Sequence, residues 1–180
     1  FPTSTPPATP IPATQPPEPT AAQPPAPSLT PLPRFFTNEF DASLAGWVIL
    51  QAGNDSIPNI STENGALLLQ MDAPFTWLYS LYGAQDYADV RIETQFQNRA
   101  GTPASAGLVC RYGEEQGWFE FNVSTDDGTY NILYGTWLSV GIAEYLPVTD
   151  AGSSKLIQPS GATQTLGLAC EGTTLSLYIN

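Results

Sequence analysis

Proline dominates the beginning of this chain and restricts what it can fold into. Thirteen of the first 33 residues are proline and eight are serine or threonine, and the only charged residue among them is Glu18. Proline has no backbone N–H to give to a helix or a central strand, and the segment has too few large apolar side chains to build a core. We therefore predict that residues 1–34 form an extended, polyproline-type stalk or linker.

Threonines in the same segment are candidates for modification. A composition rich in proline and threonine is typical of O-glycosylated stalks. An unmodified tether is an equally good interpretation. The candidate acceptors are Thr3, Thr5, Thr9, Thr14, Thr20 and Thr30.

From Phe35 the composition changes to aromatic and alternating apolar residues separated by turn formers. Residues 90–97 and 118–123 alternate apolar and polar side chains, which is typical of strands with one buried face. Asp127-Gly128 predicts a hairpin turn after the second of these strands. No segment has a sustained period of 3.6 residues, so we predict that residues 35–180 form an all-β domain, an antiparallel two-sheet β-sandwich. Further strands are predicted near residues 65–71, 76–81, 106–112, 130–134, 164–171 and 173–179.

The two cysteines and the scarcity of lysine indicate in which cellular compartment the protein is found. Cys110 follows Gly-Leu-Val and Cys170 follows Gly-Leu-Ala, each in an apolar run that predicts a strand. A disulfide between the two strands is one interpretation, and two buried thiols in a reducing compartment are the other. The stalk and the single lysine, Lys155, favour export. We therefore predict an extracellular or cell-surface location and a disulfide-bonded pair.

Charge and the absence of histidine exclude several functions. Five basic against seventeen acidic residues give a net charge of −12, which repels nucleic acid and anionic lipids. No stretch approaches the roughly 20 apolar residues that span a bilayer, so no membrane insertion of this chain is predicted. Without histidine, only carboxylate chemistry is available for catalysis, and no strand presents two carboxylates on one face. We predict a protein that is not an enzyme and has no catalytic residues, with a glycoside hydrolase as the less favoured alternative.

Several phrases, taken in order, carry a family resemblance. They are Phe-Asp and Gly-Trp near residues 40–47, Gly-Ala-Leu-Leu-Leu from Gly65, Gly-Leu-Val-Cys-Arg-Tyr from Gly107, and Gly-Thr-Thr-Leu-Ser-Leu-Tyr-Ile-Asn from Gly172. Together they resemble the laminin-G-like, concanavalin-A-like jelly-roll domains of bacterial extracellular proteins, which often follow Pro/Thr-rich linkers. The resemblance implies a jelly roll that binds sugars or other surface ligands. It also implies further strands after Asn180, so we expect the domain as given to lack its last strands.

One strand face is the leading candidate for a ligand site. Trp118, Glu120 and Asn122 share the face opposite Phe119 and Phe121, and combine an aromatic ring with hydrogen-bonding groups. Sugars bind such surfaces because their C–H faces stack on rings while their hydroxyls bond to amides and carboxylates. Core packing is the alternative interpretation of each aromatic residue. Further candidate ligand-binding residues are Arg111, Tyr134 and Trp137.

Two functions therefore remain open. The first is a noncatalytic recognition or adhesion module whose partner is a glycan or another cell-surface ligand. The second is a structural subunit of an extracellular fibre, in which copies of the chain associate and the proline-rich segment is ordered against neighbours. No cofactor is required by either function. Calcium is a candidate ligand of the acidic pairs at residues 114–115 and 126–127, but solvated turn carboxylates are the preferred interpretation of these pairs.

Overall fold

Antiparallel β-strands account for most of the chain that the structure describes. The structure is a computed structural model, and it describes residues 34–41 and 43–180, of which Phe35–Asn180 form one compact unit. Those residues contain no helix, so the all-β prediction is confirmed. None of them forms a helix long and apolar enough to cross a membrane. The stalk and its six candidate threonines lie outside the described residues.

The described residues form twelve strands, and the four that the sequence did not predict are β1, β2, β9 and β10. The strands are β1 (Trp47–Gly53), β2 (Asn59–Glu63), β3 (Ala66–Gln70), β4 (Thr76–Tyr82), β5 (Val90–Gln97), β6 (Ser105–Gly113), β7 (Gly117–Ser124), β8 (Thr129–Ser139), β9 (Ile142–Pro147), β10 (Gly152–Ser153), β11 (Thr163–Glu171) and β12 (Thr174–Ile179).

The strands form four sheets, all of them antiparallel. A five-stranded sheet, called here the central sheet, has β6, β7 and β8 side by side, and both β9 and β10 pair with β8. A three-stranded sheet has the order β12-β11-β5. The β1–β4 pair and the β2–β3 hairpin are separate two-stranded sheets. The predicted turn at Asp127-Gly128 lies in the connection between β7 and β8, with Gly128 at a φ of +69°.

The main core lies between the central sheet and the three-stranded sheet. Phe121 and Val123 of β7 are fully buried there against Leu166 and Leu168 of β11. This is the face of β7 that the apolar alternation predicted to be buried. Removing a buried ring of this size typically costs about 3–5 kcal/mol, so Phe121 contributes a large part of the stability of the domain.

A disulfide bond crosses this core. Cys110 lies in β6 and Cys170 in β11, and their sulfur atoms are bonded. Both cysteines are buried, at 3 % and 0 % exposure. The predicted pairing is therefore confirmed, and it connects the two facing sheets of the sandwich.

A second core lies on the other face of the central sheet. The β1–β4 pair packs there through Ala52 and Tyr79, which form one buried cluster with Trp118 of β7. The central sheet is therefore covered on both faces, and β7 is buried between two apolar layers. A two-sheet sandwich was predicted, and the β1–β4 pair adds a third layer to it.

Breaking the disulfide should destabilise the domain substantially. The cysteines are 60 residues apart, and a closed loop of that length corresponds to about 4 kcal/mol of stabilisation. We expect the Cys110→Ala, Cys170→Ala double variant to lose about this amount in urea unfolding. Reductant should have the same effect on the natural protein and none on the variant. An unchanged urea midpoint after reduction would contradict this role.

Candidate functional site

Five aromatic side chains form an enclosed cluster, which we call the aromatic box. Its members are Tyr79 of β4, Tyr112 of β6, Trp118 of β7, Trp137 of β8 and Tyr145 of β9. The Trp118 ring lies at the centre, with ring-centroid distances of 5.1 Å to Trp137, 5.4 Å to Tyr79, 5.7 Å to Tyr112 and 6.2 Å to Tyr145.

Glycine at position 135 makes room for this arrangement. Gly135 lies directly opposite Trp118 in the sheet. A Cβ atom at Gly135 would lie 2.4 Å from the Trp118 ring. Any side chain at this position would therefore displace the indole, so the box depends on this glycine.

A carboxylate is buried beside the box. Glu120 of β7 is 3 % exposed. Its Oε2 atom accepts hydrogen bonds from the indole N–H of Trp118 at 2.8 Å and from the hydroxyl of Tyr79 at 3.2 Å. Its Oε1 atom accepts a hydrogen bond from the carboxamide of Asn122 at 2.6 Å. Three donors therefore compensate a group whose burial would otherwise be expensive.

The burial of Trp118 and Glu120 corrects the expectation of an exposed face. Trp118 is 1 % exposed because the β1–β4 pair covers it. Its ring face is not available for stacking on a sugar, and the oxygens of Glu120 already have protein partners. The alternation of β7 was read correctly as two faces, but both faces are buried.

Burial also affects the two tyrosines that adjoin Glu120. Desolvation raises the pKa of Tyr79 well above its ordinary value of 10.0, and the negative charge of Glu120 raises it further. The Tyr145 hydroxyl contacts the Tyr79 hydroxyl. The pKa of Tyr145 is also raised, chiefly by burial. Both phenols are therefore held in their neutral form over the physiological range.

Beyond the box, the same face of the central sheet is polar. Asn122 of β7 lies directly opposite Asn131 of β8, and we call this pair the amide shelf. The Oδ1 atom of Asn131 is shielded from solvent and has no hydrogen-bond partner among the described residues. Gly107 lies opposite Asn122 on β6, and a Cβ atom there would lie 2.2 Å from Asn122 Oδ1. The glycine therefore leaves space for the carboxamide of Asn122.

An exposed ring lies at the other side of the box. Trp77 of β4 is 43 % exposed, and its ring centroid is 6.5 Å from that of Tyr145. A polar network connects the two ends, since Asn122 bonds to Glu120, Glu120 to Tyr79, and Tyr79 to Tyr145. The network thus links Asn122 to Tyr145, on which the exposed indole of Trp77 packs.

Two other candidate residues lie away from this face. Arg111 has a left-handed backbone, with φ of +53°, in the bulge of β6. Its guanidinium group donates to the carbonyl of Gly172 and lies 3.4 Å from the carboxylate of Asp89. Tyr134 packs on Phe119 at 5.1 Å, on the opposite face of the sheet, and its hydroxyl donates to the Gln116 carbonyl. The six candidate residues therefore do not form one site.

A metal site is not evident in the described part of the chain. No group of three or more histidine, cysteine, aspartate or glutamate side chains in residues 34–41 and 43–180 is arranged to hold an ion. The acidic pairs at 114–115 and 126–127 lie in turns or at their borders. The calcium hypothesis gains no geometric support from them.

Sequence reasoning missed two residues of this region, Asn131 and Tyr145. Asn131 lies within a predicted strand, but only the register between β7 and β8 shows that it lies opposite Asn122. Tyr145 lies in β9. In this strand Ala143 and Tyr145 alternate with the exposed Glu144, a pattern that predicts a strand with Tyr145 on its covered face. Proline at 147 and the shortness of the strand obscured it.

Comparisons with known proteins add no further constraint. No protein-family model, no curated protein and no solved structure matches this chain. The resemblance to laminin-G-like domains therefore stays a prediction.

Removing the Tyr79 hydroxyl should test the buried network. Tyr79→Phe leaves Glu120 with one donor fewer, and a lost hydrogen bond to a buried charged group costs about 1–3 kcal/mol. We expect a loss of this size in urea unfolding. Tyr178→Phe is the matched control, because Tyr178 is 47 % exposed on the three-stranded sheet, and its effect should stay below about 0.5 kcal/mol. Equal effects of the two variants would contradict the proposed network.

The raised pKa values of Tyr79 and Tyr145 predict a loss of stability in alkali. Both tyrosines stay protonated in the folded protein, whereas in the unfolded chain they ionise near their ordinary pKa of 10.0. Their contribution is therefore complete below pH 10 and is lost as the pH rises above it. We expect the urea midpoint to fall steeply above about pH 10, and less steeply in the Tyr79→Phe, Tyr145→Phe double variant. If the urea midpoints of the natural protein and the double variant fall equally above pH 10, the two tyrosines are not the cause of the lost stability.

Proposed function

We propose that this domain is a noncatalytic extracellular recognition module that binds carbohydrate at the amide shelf. The observation that carries the proposal is the unpartnered Oδ1 of Asn131 beside the carboxamide of Asn122. A shielded amide oxygen without a partner is unusual, because nearly all such groups are hydrogen-bonded. A ligand hydroxyl supplies the missing donor.

The chemistry of the shelf suits sugars. Carboxamides both donate and accept hydrogen bonds, as sugar hydroxyls do. The exposed face of Trp77 supplies the flat apolar surface on which a pyranose ring stacks.

The absence of catalysis in this proposal rests on how Glu120 is held. Glycoside hydrolysis requires two carboxyl groups that flank the scissile bond. The hydrogen-bond partners of Glu120 are Tyr79, Trp118 and Asn122, and the carboxylate is buried. Glu93, on another sheet, is exposed and lies 3.8 Å from Arg91. These positions favour a structural role for Glu120 and a surface ion pair for Glu93.

Extracellular placement is supported by the disulfide. Disulfides persist in oxidising compartments and are rare in the cytosol. Stacked antiparallel sheets are also what the laminin-G-like, jelly-roll interpretation requires. The proline-rich segment would then serve as the tether that carries the recognition domain away from its anchor.

A glycan array followed by calorimetry tests this function. We expect the full chain to bind at least one class of oligosaccharide, and Asn131→Ala and Trp77→Ala each to weaken the binding about tenfold, or about 1.4 kcal/mol. Tyr178→Ala is the control, because it removes an exposed ring from a different sheet. The urea unfolding midpoint of each variant should be high enough that the variant is folded under the conditions of the binding assay.

Two results would overturn the proposal. One is an absence of binding across plant, algal and bacterial polysaccharides, with and without calcium, by chain that is natively folded. The other is binding that Asn131→Ala and Trp77→Ala leave unchanged, which would place the ligand elsewhere.

A further inference from the structure

The buried carboxylate of Glu120 is held by neutral hydrogen-bond donors. These donors are the indole of Trp118, the hydroxyl of Tyr79 and the carboxamide of Asn122. Neutral donors stabilise the negative charge of a carboxylate, but they do not cancel it as a lysine or arginine would. Glu120 therefore contributes an uncompensated negative charge to its surroundings.

Basic side chains are scarce in the strands around Glu120. The β1–β4 pair and the five strands of the central sheet contain one basic residue, Arg111. Its guanidinium group donates to the carbonyl of Gly172, in the β11–β12 turn, and lies 3.4 Å from the carboxylate of Asp89. These strands therefore supply no countercharge to Glu120.

The charge of Glu120 acts on the side chains beside it. Burial is the largest cause of the raised pKa values of Tyr79 and Tyr145, and the negative charge of Glu120 raises both further. The ring of Tyr145 is the one that packs beside the exposed indole of Trp77. The electrostatic effect of Glu120 thus extends across the box towards Trp77.

The amide shelf lies at a similarly short distance from this charge. Glu120 is opposite Leu133 in the register of β7 and β8, and Asn131 is two residues from Leu133. Asn131 is therefore the diagonal neighbour of Glu120, and such neighbours are about 7–8 Å apart. At this distance, in a partly buried site, a unit charge on a ligand changes the affinity by about tenfold.

A protonated amine fits the unused acceptor of the shelf. The Oδ1 atom of Asn131 has no hydrogen-bond donor among the described residues. An ammonium group has three N–H donors and no acceptor, whereas an ionised carboxyl group has acceptors only. An ammonium group therefore supplies the missing donor and also complements the charge of Glu120, and an acidic group does neither.

The exposed indole of Trp77 has the same preference. Its ring is 43 % exposed. The face of an aromatic ring is negative, and tryptophan attracts cations more strongly than the other aromatic residues do. Both parts of the candidate sugar site thus favour a positively charged ligand.

We propose that the ligand of the amide shelf is a cationic amino sugar, an oligosaccharide with free, protonated primary amines. This inference rests on the proposed function and adds to it the class of sugar. An ammonium group of the sugar donates to Oδ1 of Asn131, beside Glu120. Neutral sugars lack the charge that Glu120 attracts, and uronic acids carry a charge that it repels.

Calorimetry with three matched oligosaccharides tests the class of sugar. The probes are β-1,4-linked tetramers of glucosamine, glucose and glucuronic acid, which share one backbone and differ in one substituent per ring. They are added to the full chain in mildly acidic buffer, in which the amines are protonated. We expect the glucosamine tetramer to bind about tenfold more tightly than the glucose tetramer, and the glucuronic acid tetramer not to bind.

Two variants separate the local charge from the net charge of the domain. Glu120→Gln removes the buried charge and should reduce the preference for glucosamine over glucose about tenfold. Glu93→Gln is the matched control, because it removes the same charge from a side chain that is 63 % exposed on the three-stranded sheet. It should leave the preference unchanged.

An added charge provides a test that leaves Glu120 and its donors in place. Asn131→Asp puts a carboxylate on the amide shelf and should strengthen binding of the glucosamine tetramer about tenfold. Asn64→Asp is its control, since Asn64 is exposed in the turn between β2 and β3. Urea unfolding confirms that each variant is folded in the binding assay.

Several outcomes would contradict the amino-sugar class. If the glucose or glucuronic acid tetramer, or another neutral or acidic sugar, binds at least as tightly as the glucosamine tetramer, the class is wrong and the glycan proposal stands. Equal effects of Glu120→Gln and Glu93→Gln would assign the preference to net charge and not to this site. Binding of no sugar at all by folded chain would remove both proposals.

Discussion

Burial of β7 on both faces is the constraint on which the rest of the domain depends. One face directs Phe121 and Val123 into the main core, where the disulfide joins the two sheets. The other directs Trp118 and Glu120 under the β1–β4 pair. Polar groups that such a strand buries must find partners within the protein, because solvent does not reach them. The network around Glu120 is the result.

That network explains why the candidate binding surface lies beside the box and not within it. Trp118, Tyr79 and Asn122 occupy the oxygens of Glu120, so the box is a closed structural unit. The amide shelf lies next to the box, and there the Oδ1 atom of Asn131 has no hydrogen-bond donor among the described residues. The buried network holds Asn122 in place, and a preorganised carboxamide loses less entropy when a ligand binds.

Unequal sheet widths have a separate consequence. Three strands face five, so part of the larger sheet is uncovered among the described residues. Leu146 of β9, opposite Tyr134, is exposed there.

The sequence by itself determined the class of fold and most of the strands, because period-two alternation and turn residues are local signals. It left two buried thiols as an alternative to the disulfide, because the distance between Cys110 and Cys170 depends on the tertiary structure. It did not determine which strand faces are covered. Alternation in β7 identified two faces, but only the packing of the β1–β4 pair showed that Trp118 and Glu120 are buried. The pairing of Asn122 with Asn131 likewise depends on the register of β7 and β8. These are contacts between distant parts of the chain, which only the tertiary structure decides.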